Sequence, residues 1–166
     1  MVNKPLLFHS SLVLIGIIIV ISVFYLDIVK TPQETEKKPG ELSFKVLLEG
    51  TQNSLSQKQT RIAKSTTDWT KLWGEMFPEQ ILPSSPNFQE ETIIALFLGE
   101  KPTGGYSIKV EKMINHLFYI EAIVKESTPG ENCLLTQALT QPYTLVSIPK
   151  TNKQIIVTTV SENYAC

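Results

Sequence analysis

Apolar and polar positions divide the chain into three stretches of different character. Residues 5–26 form one apolar run without Asp, Glu, Lys or Arg, residues 29–41 are mostly polar, and residues 42–166 hold short apolar runs separated by turns. About twenty apolar residues in a helix cross the hydrocarbon core of a bilayer. The pattern therefore predicts an N-terminal membrane segment (1–28), a solvated linker (29–41) and one folded domain (42–166).

Alternating or continuous apolar runs in the folded domain predict five to seven strands. The runs lie at 44–48, 59–64, 92–98, 105–113, 117–124, 143–148 and 154–160. Because the connections between successive runs are too short for parallel crossovers, we expect mostly antiparallel pairing.

One stretch carries the spacing of a helix. Large apolar residues recur at intervals of three and four after several candidate N-cap residues at 65–68, and Pro78 ends the pattern. The stripe consists of Trp69, Leu72, Trp73, Met76 and Phe77. We interpret it as a core-facing side, with an exposed partner-binding face as the alternative. The expected fold is α+β, a mostly antiparallel sandwich-like domain with one amphipathic helix.

The turn at residues 99–106 is the most distinctive local feature. A continuous apolar run precedes it, and Tyr106, Ile108 and Val110 alternate with polar residues after it. Pro102 restricts φ to a value that suits a turn, and the following Gly-Gly pair can adopt positive φ. This pattern predicts a β-hairpin closed by a tight loop.

The apolar N-terminal run is interpreted as an uncleaved anchor, with a cleaved signal peptide as the alternative. Bulky residues close the run, and no small-x-small cleavage site follows. Lys4 precedes the run and Lys30, Lys37 and Lys38 follow it, so the flanking charges favour a cytoplasmic domain. We nevertheless expect a single-pass protein with its domain outside the cytoplasm, secreted if the segment is cleaved. Segments this close to the N-terminus commonly insert that way.

The cysteine pattern agrees with an oxidising compartment. Cys133 and Cys166 are the only cysteines, one in a loop and one at the C-terminus. A bridge between them would hold a chain end that otherwise frays. Two unrelated thiols remain the alternative.

Little in the chain predicts catalysis, metal binding or nucleic-acid binding. The formal net charge is −1, with 15 basic and 16 acidic residues, so no nucleic-acid partner is expected. His116 is the single histidine of the folded domain and Asp68 its single aspartate, which leaves a nucleophilic triad without support. Two separated cysteines and one histidine do not form a zinc site. We expect a protein that is not an enzyme and needs no metal or cofactor.

Two segments resemble the PrcB-like family, small bacterial extracytoplasmic proteins named after an accessory subunit of a secreted serine-protease complex. They are the Pro-Thr-Gly-Gly-Tyr turn at 102–106 and the Pro-Tyr-Thr-Leu-Val-x-Ile-Pro strand at 142–149. The resemblance covers about residues 93–157. It implies a non-enzymatic module that binds a protein partner, with a protease as the candidate partner, and it agrees with a domain outside the cytoplasm.

The two signature segments supply the candidate partner-binding residues. They are Pro102, Thr103, Gly104, Gly105, Tyr106, Pro142 and Tyr143. The two tyrosines are the expected aromatic anchors on loops carried by a rigid sheet. The alternative is that backbone geometry alone dictates the turn and that Pro142 simply starts a strand.

The turn also looks like the Asn-Pro-Thr-Thr-Gly-Tyr wedge loop of chagasin-type cysteine-protease inhibitors. Here Lys101 replaces the Asn and Gly104 replaces the second Thr. The glycine-rich middle loop of those inhibitors is missing, and Gln141-Pro142-Tyr143 matches their Arg-Pro-aromatic loop only in part. Protease inhibition is therefore an alternative function, and a structural envelope protein is another.

Overall fold

Seven strands and one helix follow one another in residues 40–166, the part of the chain that this computed structural model describes. The helix is α1 (Thr66–Met76). The strands are β1 (Lys45–Gly50), β2 (Lys58–Ala63), β3 (Glu91–Leu98), β4 (Ser107–Asn115), β5 (Tyr119–Pro129), β6 (Tyr143–Pro149) and β7 (Gln154–Tyr164). Within these residues no helix is long and apolar enough to span a membrane. The predicted segment at 5–26 lies outside the described residues, as does the linker up to residue 39.

The strands form two sheets, and a four-stranded sheet is the middle layer. Its order is β1-β6-β3-β2, and the second sheet has the order β4-β5-β7. Odd-numbered residues of β3, such as Ile93 and Phe97, pack in a cluster with α1. Even-numbered residues, such as Ile94 and Leu96, pack in a cluster with β4 and β5. The predicted α+β class with one helix is confirmed.

Helix α1 begins and ends where the pattern predicted. The Ser65 hydroxyl accepts a hydrogen bond from the Asp68 N–H at 3.1 Å, and the Asp68 carboxylate accepts one from the Lys64 N–H at 3.0 Å. The bond from the Lys64 N–H, and after it hydrogen bonding from the Ser65 side chain to the carboxylate, lower the pKa of Asp68. Trp69, Leu72 and Met76 are buried. Phe77, just after the helix, is buried in the same cluster, and Trp73 is half-buried against it. The interpretation of the apolar stripe as core is therefore confirmed.

The predicted hairpin between residues 93 and 113 is wrong. Strand β3 pairs with β2 on one side and β6 on the other, whereas β4 pairs with β5 in the second sheet. Both hydrogen-bonding edges of β3 are thus occupied, so residues 99–106 carry the chain from one sheet to the other. We call these residues the junction loop.

One pairing departs from the antiparallel expectation. Strands β5 and β7 are parallel, in register from Tyr119↔Gln154 to Pro129↔Tyr164. The connection between them passes through β6 in the other sheet, which gives the length that a parallel crossover needs. The other four strand pairs are antiparallel. The sheets are mostly antiparallel, as predicted.

The connections gather at two opposite ends of the domain. The junction loop, residues 130–142 and the end of β7 meet at one, which we call the loop end. The turn between β4 and β5 lies at the other, the hairpin end, where the Asn115 N–H donates to the Gly40 carbonyl at 2.6 Å. Strand β5 has 11 residues and runs from one end to the other. At a rise of about 3.3 Å per residue, the two ends are about 35 Å apart.

Candidate partner-binding surface

Backbone hydrogen bonds join the junction loop to the segment 130–142. Lys101 and Thr140 exchange N–H to carbonyl bonds of 2.7 and 3.0 Å, and the Gly104 N–H donates to the Thr136 carbonyl at 3.0 Å. The Thr140 hydroxyl donates to the Thr103 carbonyl at 2.8 Å. The two segments therefore form one connected layer at the loop end.

The two glycines of the junction loop have different roles. Gly105 has a φ of +88°, and a Cβ there would lie 2.8 Å from Leu135 Cδ2 and 2.9 Å from the Tyr164 hydroxyl oxygen. That hydroxyl donates to the Gly105 carbonyl at 2.8 Å. A Cβ at Gly104 would meet Thr136 Cβ at 3.5 Å, an ordinary contact. Only Gly105 is required by backbone conformation and close packing.

The C-terminus is fastened to the same layer. Cys133 and Cys166 form a disulfide with a Cα–Cα distance of 5.2 Å, as the sequence predicted. The Gly130 N–H donates to the Tyr164 carbonyl at 2.9 Å. The end of β7 and the segment after β5 are therefore held together beside the junction loop.

Apolar side chains project from this layer. Leu134 is fully exposed, Leu139 is largely exposed, and Pro102 of the junction loop is exposed as well. Tyr106 is half-buried against the core between the sheets, and Lys101 Nζ lies 5.6 Å from its ring centroid, within cation–π range. We call Lys101, Pro102, Tyr106, Leu134 and Leu139 the loop-end surface.

Sequence reasoning missed Leu134 and Leu139. They lie in a loop that no strand or helix pattern claims, between Pro129-Gly130 and Pro142. The sequence did offer one signal, because both leucines are large apolar residues outside every predicted core-facing pattern.

Pro142 and Tyr143 do not belong to this surface. Both are buried, and Tyr143 is only 7% exposed. Its ring lies among aromatic neighbours on the α1 side of the sheet, 5.7 Å from Phe77 and 6.5 Å from Phe97 between centroids. Burial raises the pKa of its hydroxyl. Tyr143 is therefore a core residue, and Pro142 precedes strand β6; the expectation of an exposed aromatic anchor at this position is wrong.

The single histidine of the described residues forms a side-chain hydrogen bond with a glutamate. His116 Nε2 lies 3.0 Å from Glu121 Oε2, and the imidazole stacks on Tyr119 with centroids 4.3 Å apart. The Thr158 hydroxyl, and after it His116, lower the pKa of Glu121. This group lies at the hairpin end, away from both cysteines. Among residues 40–166 no three His, Cys, Asp or Glu side chains are placed to hold a metal ion.

The described residues thus define an α+β domain in which two packed sheets carry a cross-linked loop layer at one end. Residues 92–149, from β3 to β6, match the family model described as PrcB C-terminal. This match contains the junction loop and confirms the resemblance to the PrcB-like family. No curated protein and no solved structure matches the chain.

Proposed function

We propose that this chain is a non-enzymatic, membrane-anchored protein that captures a partner protein through the loop-end surface, as an accessory subunit of a protease complex would. One observation carries the proposal: fully exposed Leu134 and exposed Leu139 lie on loops that hydrogen bonds and a disulfide connect into one layer. The PrcB C-terminal match supports a protease-related partner.

The construction of the loop end favours binding. Apolar side chains exposed on ordered loops are typical of protein contact sites. Because the loops are already cross-linked, a partner would bind without first ordering them, which lowers the entropic cost of association. The Lys101 ammonium beside Tyr106 adds a cation and an aromatic ring. Aromatic residues such as Tyr106 are enriched at interfaces, and a polar rim surrounds them.

Two features support an extracytoplasmic location. The Cys133–Cys166 disulfide is a bond that persists in oxidising compartments. The apolar run at 5–26 has the length to cross a bilayer, with the domain following it. Lysines after the run favour the opposite orientation under the positive-inside rule, so the disulfide is the stronger of the two arguments.

Site-specific photo-crosslinking in intact cells tests the proposal. A photoreactive amino acid at position 134 should capture a protein that mass spectrometry identifies as a protease or a subunit of its complex. The matched control is the same probe at Ile81, an exposed position after α1 that is not part of the loop-end surface. Adducts that contain only this chain would instead indicate a structural envelope protein.

Substitution of the apolar contacts provides a second test. Leu134→Asp with Leu139→Asp should reduce partner capture at least about tenfold, because each change removes an apolar contact and places an unpaired carboxylate in the interface. Ile81→Asp is the control and should leave capture unchanged. Equal capture by all variants would exclude the loop-end surface.

Protease inhibition is the second candidate function. It is favoured by the exposed Pro102 in a turn similar to the chagasin wedge loop. The purified full chain in detergent should then slow a papain-like protease at micromolar concentration, and Pro102→Asp should abolish the effect. Absence of inhibition across several proteases would remove this function and leave the accessory role intact.

A further inference from the structure

Two adjacent large apolar side chains lie uncovered at the tip of the β4–β5 turn. Leu117 is 78% exposed and Phe118 is 80% exposed, and neither belongs to the two apolar clusters of the domain. Turns are dominated by Gly, Pro, Asn, Asp and Ser, which suit turn conformations or hydrogen-bond their own backbone. A neighbouring Leu and Phe at such a tip therefore indicate a surface that contacts something apolar.

The position of the tip indicates the nature of this contact. The Leu42 N–H donates to the Met113 carbonyl at 2.9 Å, and Asn115 in turn binds the Gly40 carbonyl, so the chain enters the domain along β4 and beside the tip. Only residues 27–39 separate this entry point from the apolar run at 5–26. Thirteen residues span at most about 45 Å when fully extended, so the hairpin end lies within that distance of any bilayer that holds the run.

The groups around the tip suit a bilayer interface. Lys153 Nζ donates to the Asn115 side-chain oxygen at 2.7 Å and to the His116 carbonyl at 2.6 Å, which fixes a cation beside the tip. Tyr119 stacks on His116 directly behind the apolar pair, and His116 Nε2 lies 3.0 Å from Glu121 Oε2. Amphipathic rings and lysines are enriched at the headgroup level of membrane proteins.

We propose that Leu117 and Phe118 insert into the interface of the same bilayer that holds residues 5–26. The expected depth is about 5–10 Å, at the boundary of headgroups and acyl chains. This inference rests on the membrane attachment proposed above. It adds that the domain has a defined orientation, with its hairpin end on the lipid and its loop end facing away.

Depth-dependent fluorescence quenching in the full chain tests the inference. Phe118→Trp places a probe at the tip, and Leu134→Trp places a matched probe at the opposite end, both at exposed positions where the change leaves the core intact. The wild-type chain supplies the background from Trp69 and Trp73. Each protein is reconstituted into vesicles of phosphatidylcholine and phosphatidylglycerol, with bromine atoms at either shallow or deep acyl positions.

The expected result is loss of the added emission at position 118, greater with shallow than with deep bromines, and no loss at position 134. Vesicle flotation without quenching at 118 would overturn the tip contact and leave the membrane attachment standing. Quenching at both positions would overturn the defined orientation.

A chain that does not float with vesicles would overturn the attachment and, with it, the tip contact. Emission at 118 that depends on protein concentration but not on bromine would identify a second copy of the chain as the occupant and overturn the proposal.

Discussion

At the scale of single residues, only one of the two adjacent glycines in the junction loop occupies a position that requires glycine. Gly105 combines positive φ with close neighbours at both Leu135 and Tyr164, whereas a Cβ at Gly104 would make only ordinary contacts with Thr136. The neighbours of Gly105 come from the segment after β5 and from β7. A change at this residue therefore affects the whole loop layer.

Gly105→Ala should lower the free energy of unfolding by about 1–3 kcal/mol, because a Cβ there meets both backbone strain and steric overlap. Gly104→Ala should change it by less than about 0.5 kcal/mol. Urea denaturation of the two variants measures the difference. Equal effects would show that the close approach at Gly105 does not form in solution.

Asp68 predicts a pH dependence of stability. Its pKa is lowered from the ordinary value of 3.8 by hydrogen bonds from Lys64 and Ser65. A lowered folded-state pKa stabilises the fold above the unfolded-state pKa, and this contribution is lost as the pH falls through the folded-state pKa. Because the carboxylate is exposed, we expect less than about 1 kcal/mol.

The comparison of wild type with Asp68→Asn isolates the charge, since Asn retains an acceptor oxygen. The wild type should be more stable at neutral pH, the gap should begin to narrow near pH 4, and it should close below the lowered folded-state pKa. Thermal unfolding at several pH values measures this gap. A gap that persists in acid would assign the effect to packing instead of ionisation.

At the scale of elements, the periodicity of the sequence predicts which helices and strands form, but it does not always predict which strands pair. The spacing of Trp69, Leu72 and Met76 determines one buried helix face, and the alternation in β4 determines one buried strand face. A continuous apolar run such as β3 shows that both faces are buried, but it says nothing about the partner of each edge. The hairpin prediction failed for this reason.

The candidate site was predictable only in part. Local turn chemistry identified the junction loop, because Pro and Gly restrict backbone conformation without reference to the rest of the fold. The burial of Tyr143 depends on its register opposite Gly50, where a Cβ would lie 2.6 Å from the tyrosine hydroxyl oxygen. This pairing joins distant parts of the chain, so the local sequence around either residue does not predict it.

Loss of the disulfide should destabilise the domain substantially. The bond joins residues 33 positions apart, and closing a loop of this length removes chain entropy worth about 3–4 kcal/mol from the unfolded state. The double substitution Cys133→Ser with Cys166→Ser should lower the free energy of unfolding by about this amount, measured by urea denaturation. A loss below about 1 kcal/mol would show that the Gly130 and Tyr164 hydrogen bonds suffice to hold the C-terminus.

At the scale of the described domain, the chain alternates between the sheets. It leaves the four-stranded sheet after β3, returns to it with β6, and ends in the second sheet with β7. Strand β3 contributes side chains to both apolar clusters. Neither sheet can therefore separate without disrupting the packing of the other.

We expect the domain to unfold in one cooperative transition. Tryptophan fluorescence reports the α1 layer through Trp69 and Trp73, and far-ultraviolet circular dichroism reports the sheets. The two signals should show the same midpoint in urea. Separate midpoints would show that the α1 layer and the sheet pair are independent folding units.

The opposition of the two ends has a geometric consequence. Attached as proposed, the domain would act as a spacer whose height is set by the 11 residues of β5 rather than by a flexible tether. A docking partner would then need its complementary patch at roughly 35 Å above the lipid headgroups, since that is the length of such a strand. Proteins whose binding patches lie at the membrane surface could not reach the loop end. The height of the loop end above the bilayer would therefore restrict the choice of partner, in addition to side-chain complementarity.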